Sequence, residues 1–499
     1  MTLKQIAALG RKLVLFLALF ADCFNRKDAR GLLSVYIRGQ LSDLKHKNAE
    51  AVALHFGEAP RTLQRFLESI KWDEEKLCDR CQQLVATEHA HPDAIGTIDE
   101  SGVGKSGTHT VGVGRQWCGS RGKIDNCVVG VHIGYAAPGF HCLIGGRVYL
   151  PESWANDPER RKENYVPEEI RFLTKPQIAL EQIERALGNG IRVAAWNFDE
   201  FYGRDGAFLD GLEERKQVFV GEIPANFYGW VRKPGVIRED PRSRRGGWKN
   251  YPGLTRRIPI SEVQNLVRYS PAFRERSWQR YRIKDTNKGP EVWEVKWSVF
   301  WRKNGGGLPT RRHCLIVARN VLTGEMKYFL ANRVPGEKGV TVRWLLRVAF
   351  GRWSVERCFR EAKEELGFDH YKVRGWRCVH RHFYLTQLSH LFCARVRLEY
   401  DASAESSAED LTVEEASAGD KTGRLTVEQV RGAMNAWLEA QTMLPKARKE
   451  RYEKELNHIR YHQGRNEQAR RSNTKTRIKD LTAFNIDPDR IKSCVPKGS

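Results

Sequence analysis

The chain has 499 residues, a formal net charge of +23 and a 40% hydrophobic content that includes 14 tryptophans. That length provides roughly two to four structural units, each with material for a core. So large a positive excess favours a polyanionic partner through phosphate contacts and counterion release, and the Trp-rich core argues against a ribosomal-type basic protein and for an enzyme or folded nucleic-acid binder. Eleven cysteines, an odd number without framework spacing, suit a reducing cytosol.

In chain order, residues 1–90 read as helices. Leu33, Tyr36, Ile37 and Leu41 share one face, and Leu54, Leu63, Phe66, Leu67 and Ile70 supply others. The apolar run Leu13 to Ala21 is too short to span a bilayer, and Asp22 stands where a signal cleavage site needs a small residue, so it reads as a buried helix with no export implied. Asn48 to Leu67 holds two helical patterns broken near Gly57-Glu58-Ala59-Pro60, the outline of a helix-turn-helix and equally of any small bundle. Cys78 and Cys81 form a C-x-x-C with His89 and His91 downstream, which invites a zinc reading. Two cysteines at i and i+3 of a helical segment do not supply the four tightly spaced ligands of a structural site.

From Asp93 the texture changes to strands: Ala94 to Asp99, Thr108 to Trp117 and Asn126 to Tyr135, split by Gly-containing turns, an antiparallel meander. A helix at Lys175 to Leu187, a buried strand at Ile191 to Phe198 ending in Asp199, a helix closed by Glu213 and a strand at Gln217 to Gly221 follow. Meander, helix, strand, helix, strand is the order of a ribonuclease-H-like α/β fold. Residues 225–335 interrupt it with a β-rich insertion carrying the alternating run Val292 to Trp301 and basic loops with Arg242, Arg244 and Arg245.

After the insertion, Val355, Phe359, Ala362 and Leu366 recur at helical spacing with Gly367 as C-cap. Arg352, Glu356, Arg360 and Lys363 form a second stripe on that helix. Such a stripe is either a surface salt-bridge ladder or a metal-ligand carboxylate beside residues that grip phosphate. A further apolar helix covers Phe383 to Val396, and an acidic linker 401–424 precedes a basic helical tail 425–499. Arg448, Lys449, Arg451, Arg460, Arg465, Arg470 and Arg471, interleaved with Tyr452, Tyr461 and His462, read either as a solvated helix or as a phosphate-tracking surface. The expected domains are thus 1–90 (helical, DNA-binding), 91–224 with 336–400 (ribonuclease-H-like catalytic core), 225–335 (β-rich insertion), 401–424 and 425–499.

Asp99 and Asp199 end strands that are neighbours in a ribonuclease-H-like sheet, and Glu356 on a packed helix would complete a set of hard oxygen ligands. Two Mg²⁺ ions roughly 4 Å apart could then drive an in-line phosphoryl displacement. A strand-end Asp also commonly caps a turn or helix. Gly102-Val103-Gly104-Lys105-Ser106 ends like a P-loop, but Asp99 stands where the motif needs its first Gly, which excludes an ATPase reading.

These residues carry a resemblance to the DDE transposases of bacterial insertion sequences, in the branch marked by a Tyr-Arg-Glu-Lys signature and a β-rich insertion before the catalytic Glu. Arg352, Glu356 and Lys363 match the last three signature positions in register, with the common Arg-Trp pair at Arg352-Trp353. Ala349 stands at the Tyr position, with Phe350 one place later. Asp99-Glu100-Ser101-Gly102 resembles the first family motif, Val111-Gly112-Val113 and Gly122 to Cys127 its following strands, and Asp199 with Tyr202-Gly203 the second motif. The resemblance implies that Asp99, Asp199 and Glu356 are catalytic and bind two Mg²⁺ ions, with Mn²⁺ able to substitute. Glu100 is the rival first acid, pointing to the other strand face. Arg352, Lys363 and Arg360 would hold phosphates, and Trp353 would stack near a displaced base.

The function so implied is a cut-and-paste transposase that binds terminal inverted repeats, cleaves them and joins the 3′-hydroxyl ends to target DNA, as a homodimer on double-stranded DNA, with no membrane, in the nucleoid-associated bacterial cytoplasm. The alternatives are a catalytically decayed or domesticated transposase acting as a DNA-binding regulator, and a general two-metal nuclease of the same fold.

Overall fold

The structure, a computed structural model, describes residues 1–237, 252–255, 258–337, 339–409 and 424–495, with the side chains of 402–409 excepted. The basic loop with Arg242, Arg244 and Arg245 lies outside the described residues, as do residues 410–423 of the expected acidic linker.

Five helices open the chain: α1 (Leu3–Ala18), α2 (Lys27–Leu41), α3 (Ala49–His55), α4 (Pro60–Glu68) and α5 (Glu74–Glu88). Four strands follow, β1 (Ile95–Gly104), β2 (Gly114–Cys118), β3 (Lys123–Ala137) and β4 (Phe140–Val148). Next come α6 (Glu152–Ala155), α7 (Pro158–Glu163), α8 (Lys175–Gly188), β5 (Ala195–Asn197), α9 (Glu200–Gly203), α10 (Gly206–Glu214) and β6 (Val220–Glu222). The insertion contains β7 (Tyr228–Trp230), β8 (Val236–Ile237), β9 (Gly253–Leu254), β10 (Ser261–Glu262), α11 (Val263–Tyr269), α12 (Pro271–Arg274), β11 (Gln279–Thr286), β12 (Gly289–Arg302), β13 (His313–Asn320) and β14 (Met326–Ala331). Helices α13 (Val342–Ala349), α14 (Trp353–Leu366) and α15 (Trp376–Glu409) precede two C-terminal helices, Val427–Glu439 and Pro445–Ala483.

The chain divides into two compact units, residues 1–193 with 353–468 and residues 194–352 with 469–499. In the first, β3 is central and pairs antiparallel with β1, β2 and β4. One sheet face carries α8, where Lys175 Nζ donates to Glu100 Oε2 of β1 and Gln182 Nε2 to the Val131 carbonyl of β3. The other face carries α14 and α15, whose Val355, Cys358, Phe359, Ala362, Val379 and Phe383 share a core with Val103, Val128 and Leu143. In the second unit, an eight-stranded sheet runs β10-β7-β12-β13-β14-β6, with β11 joining β12 to β15 (Lys492–Ser493). Leu481 and Ile486 pack there on Val292.

Several elements depart from expectation. Leu54 is exposed, because α3 is only seven residues long and buries Ala49, Val52 and Ala53 instead. The strand expected over Thr108 to Trp117 is confined to Gly114–Cys118, since the Val111 amide bonds the Arg374 carbonyl and Gly112 takes φ +72°. That expected over Ile191 to Phe198 shrinks to Ala195–Asn197, the Ile191 amide being used to close α8 on the Ala186 carbonyl. Residues 401–409 continue α15 instead of opening a linker. Lys105, of the P-loop-like string, lies 3.4 Å from the Tyr371 ring centroid and donates to the Tyr371 carbonyl at 2.8 Å. No helix among the described residues is long and apolar enough to cross a membrane.

The N-terminal helices are tied to α15 by Tyr36 on His382, by Gln40 on Thr386 and Ser389, and by a buried guanidinium. Arg381 donates to the carbonyls of Phe66, Leu67, Ile70 and Trp72 and to Glu74 Oε2, satisfying the chain as it leaves α4, and its guanidinium lies 4.3 Å from the Trp72 ring centroid. Carbonyls left buried without donors are costly, and Glu74 would keep only its pair with Arg377 at 3.0 Å. Arg381→Ala should therefore destabilise the first unit by about 3–5 kcal/mol, read as a lower urea midpoint at neutral pH. An unchanged midpoint would show that this anchor carries no weight.

Candidate active site

The placing of Asp99 follows from strand geometry. Directly opposed residues of an antiparallel pair share a face, and Asp99 is opposite His132 of β3. The His132 ring stands edge-on to Phe359 of α14 at 5.4 Å between centroids, and to Phe368 and Phe383 at 5.3 Å each. Thr97, two residues before Asp99 and so on its face, meets Val355 across Gly134: a Cβ there would lie 2.7 Å from Thr97 Oγ1 and 3.3 Å from Val355 Cγ2. The odd-numbered residues of β1 face α14. Glu100 faces α8 and is ion-paired with Lys175 at 2.5 Å.

On α14, Phe359 lies three residues after Glu356 and four before Lys363, so all three occupy one side of the helix. Asp99 is thereby level with the segment from Glu356 to Lys363. Glu356 and Arg360 are exposed, Lys363 is half-buried, and Trp353 is 46% exposed at the start of the helix. Burial holds the Lys363 ammonium below its ordinary pKa, while Asp369, Cys118 and Asp99 act in the opposite direction. Asp369 and Cys118 were not expected near this stripe; they come from distant stretches of chain, and no spacing in the sequence signals them.

In the second unit, Asp199 caps α9, its Oδ1 accepting from the Phe201 and Tyr202 amides at 3.0 and 3.4 Å. Burial raises its pKa, opposed chiefly by the Arg352 guanidinium and then by those amides. Arg352 ends a helical turn over Phe350–Arg352. Ala349 is buried at the end of α13, and the Phe350 ring packs on Trp293 at 4.9 Å and Phe329 at 5.2 Å.

A family model described as DDE superfamily endonuclease matches residues 19–290, more than half of the chain. The chain belongs to the DDE superfamily endonucleases. The match includes Asp99 and Asp199 and ends before Glu356. A curated protein from Microchaete diplosiphon, "Probable transposase for insertion sequence element IS701", is 30% identical over 192 residues, 38% of this chain and 48% of that relative. The match thus spans about half the length of the relative.

This DDE endonuclease also buries a group of potential metal ligands away from the acids, His141, Cys358 and His390, the one such group among the described residues. Glu361 sits among them, its Oε2 bonded to His141 Nε2 at 2.8 Å and His390 Nε2 at 3.0 Å, and its Oε1 accepting from Arg357 Nε at 2.8 Å. Arg397 Nη2 donates to His141 Nδ1 at 3.2 Å. A guanidinium only donates, so the His141 proton is on Nε2 and points at Glu361, leaving that nitrogen no lone pair for a cation. Burial pushes the Cys358 thiol well above its usual pKa, and Glu361 is held far below the carboxylate range by its two His partners against the effect of burial. Glu361 thus engages Nε2 of both imidazoles, while His390 Nδ1 is buried without a hydrogen-bond partner. Cys78 and Cys81 are buried thiols on α5, with Cys78 Sγ 3.9 Å from the Ile144 carbonyl, while the His89 ring stacks on Phe140 at 4.0 Å and His91 Nδ1 accepts from the Asp93 amide. Elemental analysis should accordingly find zinc far below one atom per chain, and a zinc chelator should leave the melting temperature unchanged. Stoichiometric zinc would overturn this proton assignment.

Three other imidazoles near α14 are buried and neutral. Burial pushes His380 and His382 down to about 4 and His132 to about 3, from an ordinary 6.5. Below pH 6.5 the unfolded chain takes up protons that these folded imidazoles refuse, so stability falls with pH down to about 4 and, for His132, to about 3. The slope is about 1.4 kcal/mol per pH unit for each group. Urea midpoints measured across that range should drop steadily; a flat profile would mean that the imidazoles are charged in the fold.

Proposed function

We propose that this DDE endonuclease is the transposase of an insertion sequence, which binds terminal inverted repeats, cleaves them by two-metal phosphoryl transfer and joins the 3′-hydroxyl ends to target DNA. The observation that carries this is Asp99 on the α14 side of β1, level with Glu356 and Lys363, in a chain of the DDE endonuclease family. The partial likeness to the IS701 transposase supports the same reading. The catalytic core is ribonuclease-H-like, and its acids are Asp99, Asp199 and Glu356.

Three carboxylates form an all-oxygen donor set, which suits Mg²⁺ or Mn²⁺ and not a thiophilic metal. Two such ions would activate a water or 3′-hydroxyl and stabilise the leaving oxygen. The chain itself supplies position and charge. Arg352 opposes the effect of burial on the Asp199 carboxyl, and with Lys363 and Arg360 it binds the backbone phosphates. Lys363 is half-buried, with Asp369 and Asp99 acting against the effect of burial on its ammonium, and so meets a phosphate from a partly enclosed position. Trp353, exposed where α14 begins, stacks on a displaced base. The α3–α4 pair and the basic helix Pro445–Ala483 supply further DNA contacts, and paired ends call for a homodimer.

A second reading, a decayed transposase that binds DNA as a regulator, draws on Ala349 at the tyrosine position and on Phe350, whose ring is engaged by Trp293 and Phe329. One set of assays separates the two. Asp99→Ala, Asp199→Ala and Glu356→Ala should each lower excision by at least about 100-fold with unchanged DNA binding and melting temperature. Near-normal excision by any one variant removes that residue from the triad, and binding without Mg²⁺-dependent nicking by the wild-type chain favours the regulator.

A further inference from the structure

The hairpin of β2 and β3 carries an apolar pair in an unusual place. Trp117 and Ile124 are cross-strand partners, 58% and 59% exposed. On one sheet face such partners stand about 5 Å apart, so the two side chains form one contiguous apolar step. Arg115, on the Trp117 face two residues earlier, is exposed, and so are Arg121 and Lys123 at the turn. Asp125 pairs with Arg121 at 2.7 Å and lies 3.8 Å from Lys123, leaving the tip with a net positive charge.

The hairpin is also rooted beside the candidate site. Cys118, next to Trp117, is buried, with its Cα 3.2 Å from where a Cβ on Gly102 of β1 would lie, and it acts electrostatically on Lys363 together with Asp99. Ser120 Oγ donates to the Gly102 carbonyl at 3.1 Å, fixing the turn on the strand that carries Asp99. An apolar step on a positively charged hairpin beside a phosphate-binding lysine has the chemistry of a wedge for nucleic acid. Apolar side chains enter base steps and indoles stack on bases, while cations around them hold the backbone.

We infer that Trp117 and Ile124 form a base-stacking wedge that holds DNA open next to the scissile strand. The inference rests on the transposase reading, and it assigns the opening of the duplex to the chain's own β-hairpin. The occupant is DNA, because the cations flank the apolar pair on a chain of net charge +23.

The test uses the full chain with Ca²⁺ in place of Mg²⁺, so that binding is read without cutting. The probes are two DNAs of one arbitrary sequence, one fully paired and one splayed at an end, with 2-aminopurine at the junction. The wild type should prefer the splayed DNA and quench the junction base by stacking. Trp117→Ala and the double variant with Ile124→Ala should lose about tenfold of that preference together with the quench, Trp117→Phe should keep most of both, and all should melt like the wild type because the side chains are exposed. An unchanged preference and quench in the double variant overturns the wedge. So does a change of mass in light scattering with the preference intact, which would make the patch an interface between two copies. Wild-type chain that binds neither DNA overturns the transposase reading, whereas wild-type chain that binds both DNAs alike without quenching the junction base overturns the wedge alone.

Discussion

The first unit depends on one buried carboxylate. Glu361 belongs to the same helix as Glu356, and its two oxygens are met by His141 of β4, His390 of α15 and Arg357 of its own helix. A carboxylate out of water without such partners would cost far more than a fold of this size can spare. Only one rotation of α14 about its axis brings Glu361 to both imidazoles. That rotation, five residues away, also sets where Glu356, Arg360 and Lys363 emerge. The polar anchor and the exposed stripe are two consequences of one helical setting.

Glycines let the sheet accept this helix. His132, opposite Asp99, is fully buried, and a Cβ on Gly130 or Gly146 would lie 2.4 Å from its Nε2 or 2.1 Å from its Nδ1. The imidazole occupies the space that side chains at those two positions would have taken. It then reaches Phe359, Phe368 and Phe383, so that β1, β3, α14 and α15 are levelled against one ring. An acid on β1 held at the height of Glu356 and Lys363 follows from that packing.

Much of this was legible in the residues, for identifiable reasons. The amphipathic period of α14 is a local signal; the strand end expected at Asp99 is not found, since β1 runs on to Gly104 and leaves Asp99 in mid-strand, paired with His132, while Glu100 on the opposite face turns to Lys175. Strand β4 gave no such signal: nearly all its residues are buried, which erases alternation, and His141 within it is intelligible only beside Glu361, 220 residues away. The limit of β2 was lost to a tertiary hydrogen bond, Val111 to Arg374, and that of β5 to a local one, Ile191 closing α8 on Ala186. Cys118 beside Lys363, and the apolar step on the β2–β3 hairpin, likewise need the pairing register to be seen.

The displaced aromatic at the head of the signature can be argued from geometry. One residue along a helix turns the side-chain direction by about 100°, so Phe350 cannot point where residue 349 points. Its ring is drawn instead between Trp293 and Phe329, where apolar contact replaces anything a phenol hydroxyl would have offered. Ala349 is buried and contributes no polar atom. On the transposase reading, the phosphate grip at this corner therefore falls to cations alone. In the same unit the Arg352 guanidinium opposes the effect of burial on the Asp199 carboxyl, so the arginine of the signature is already matched to an acid.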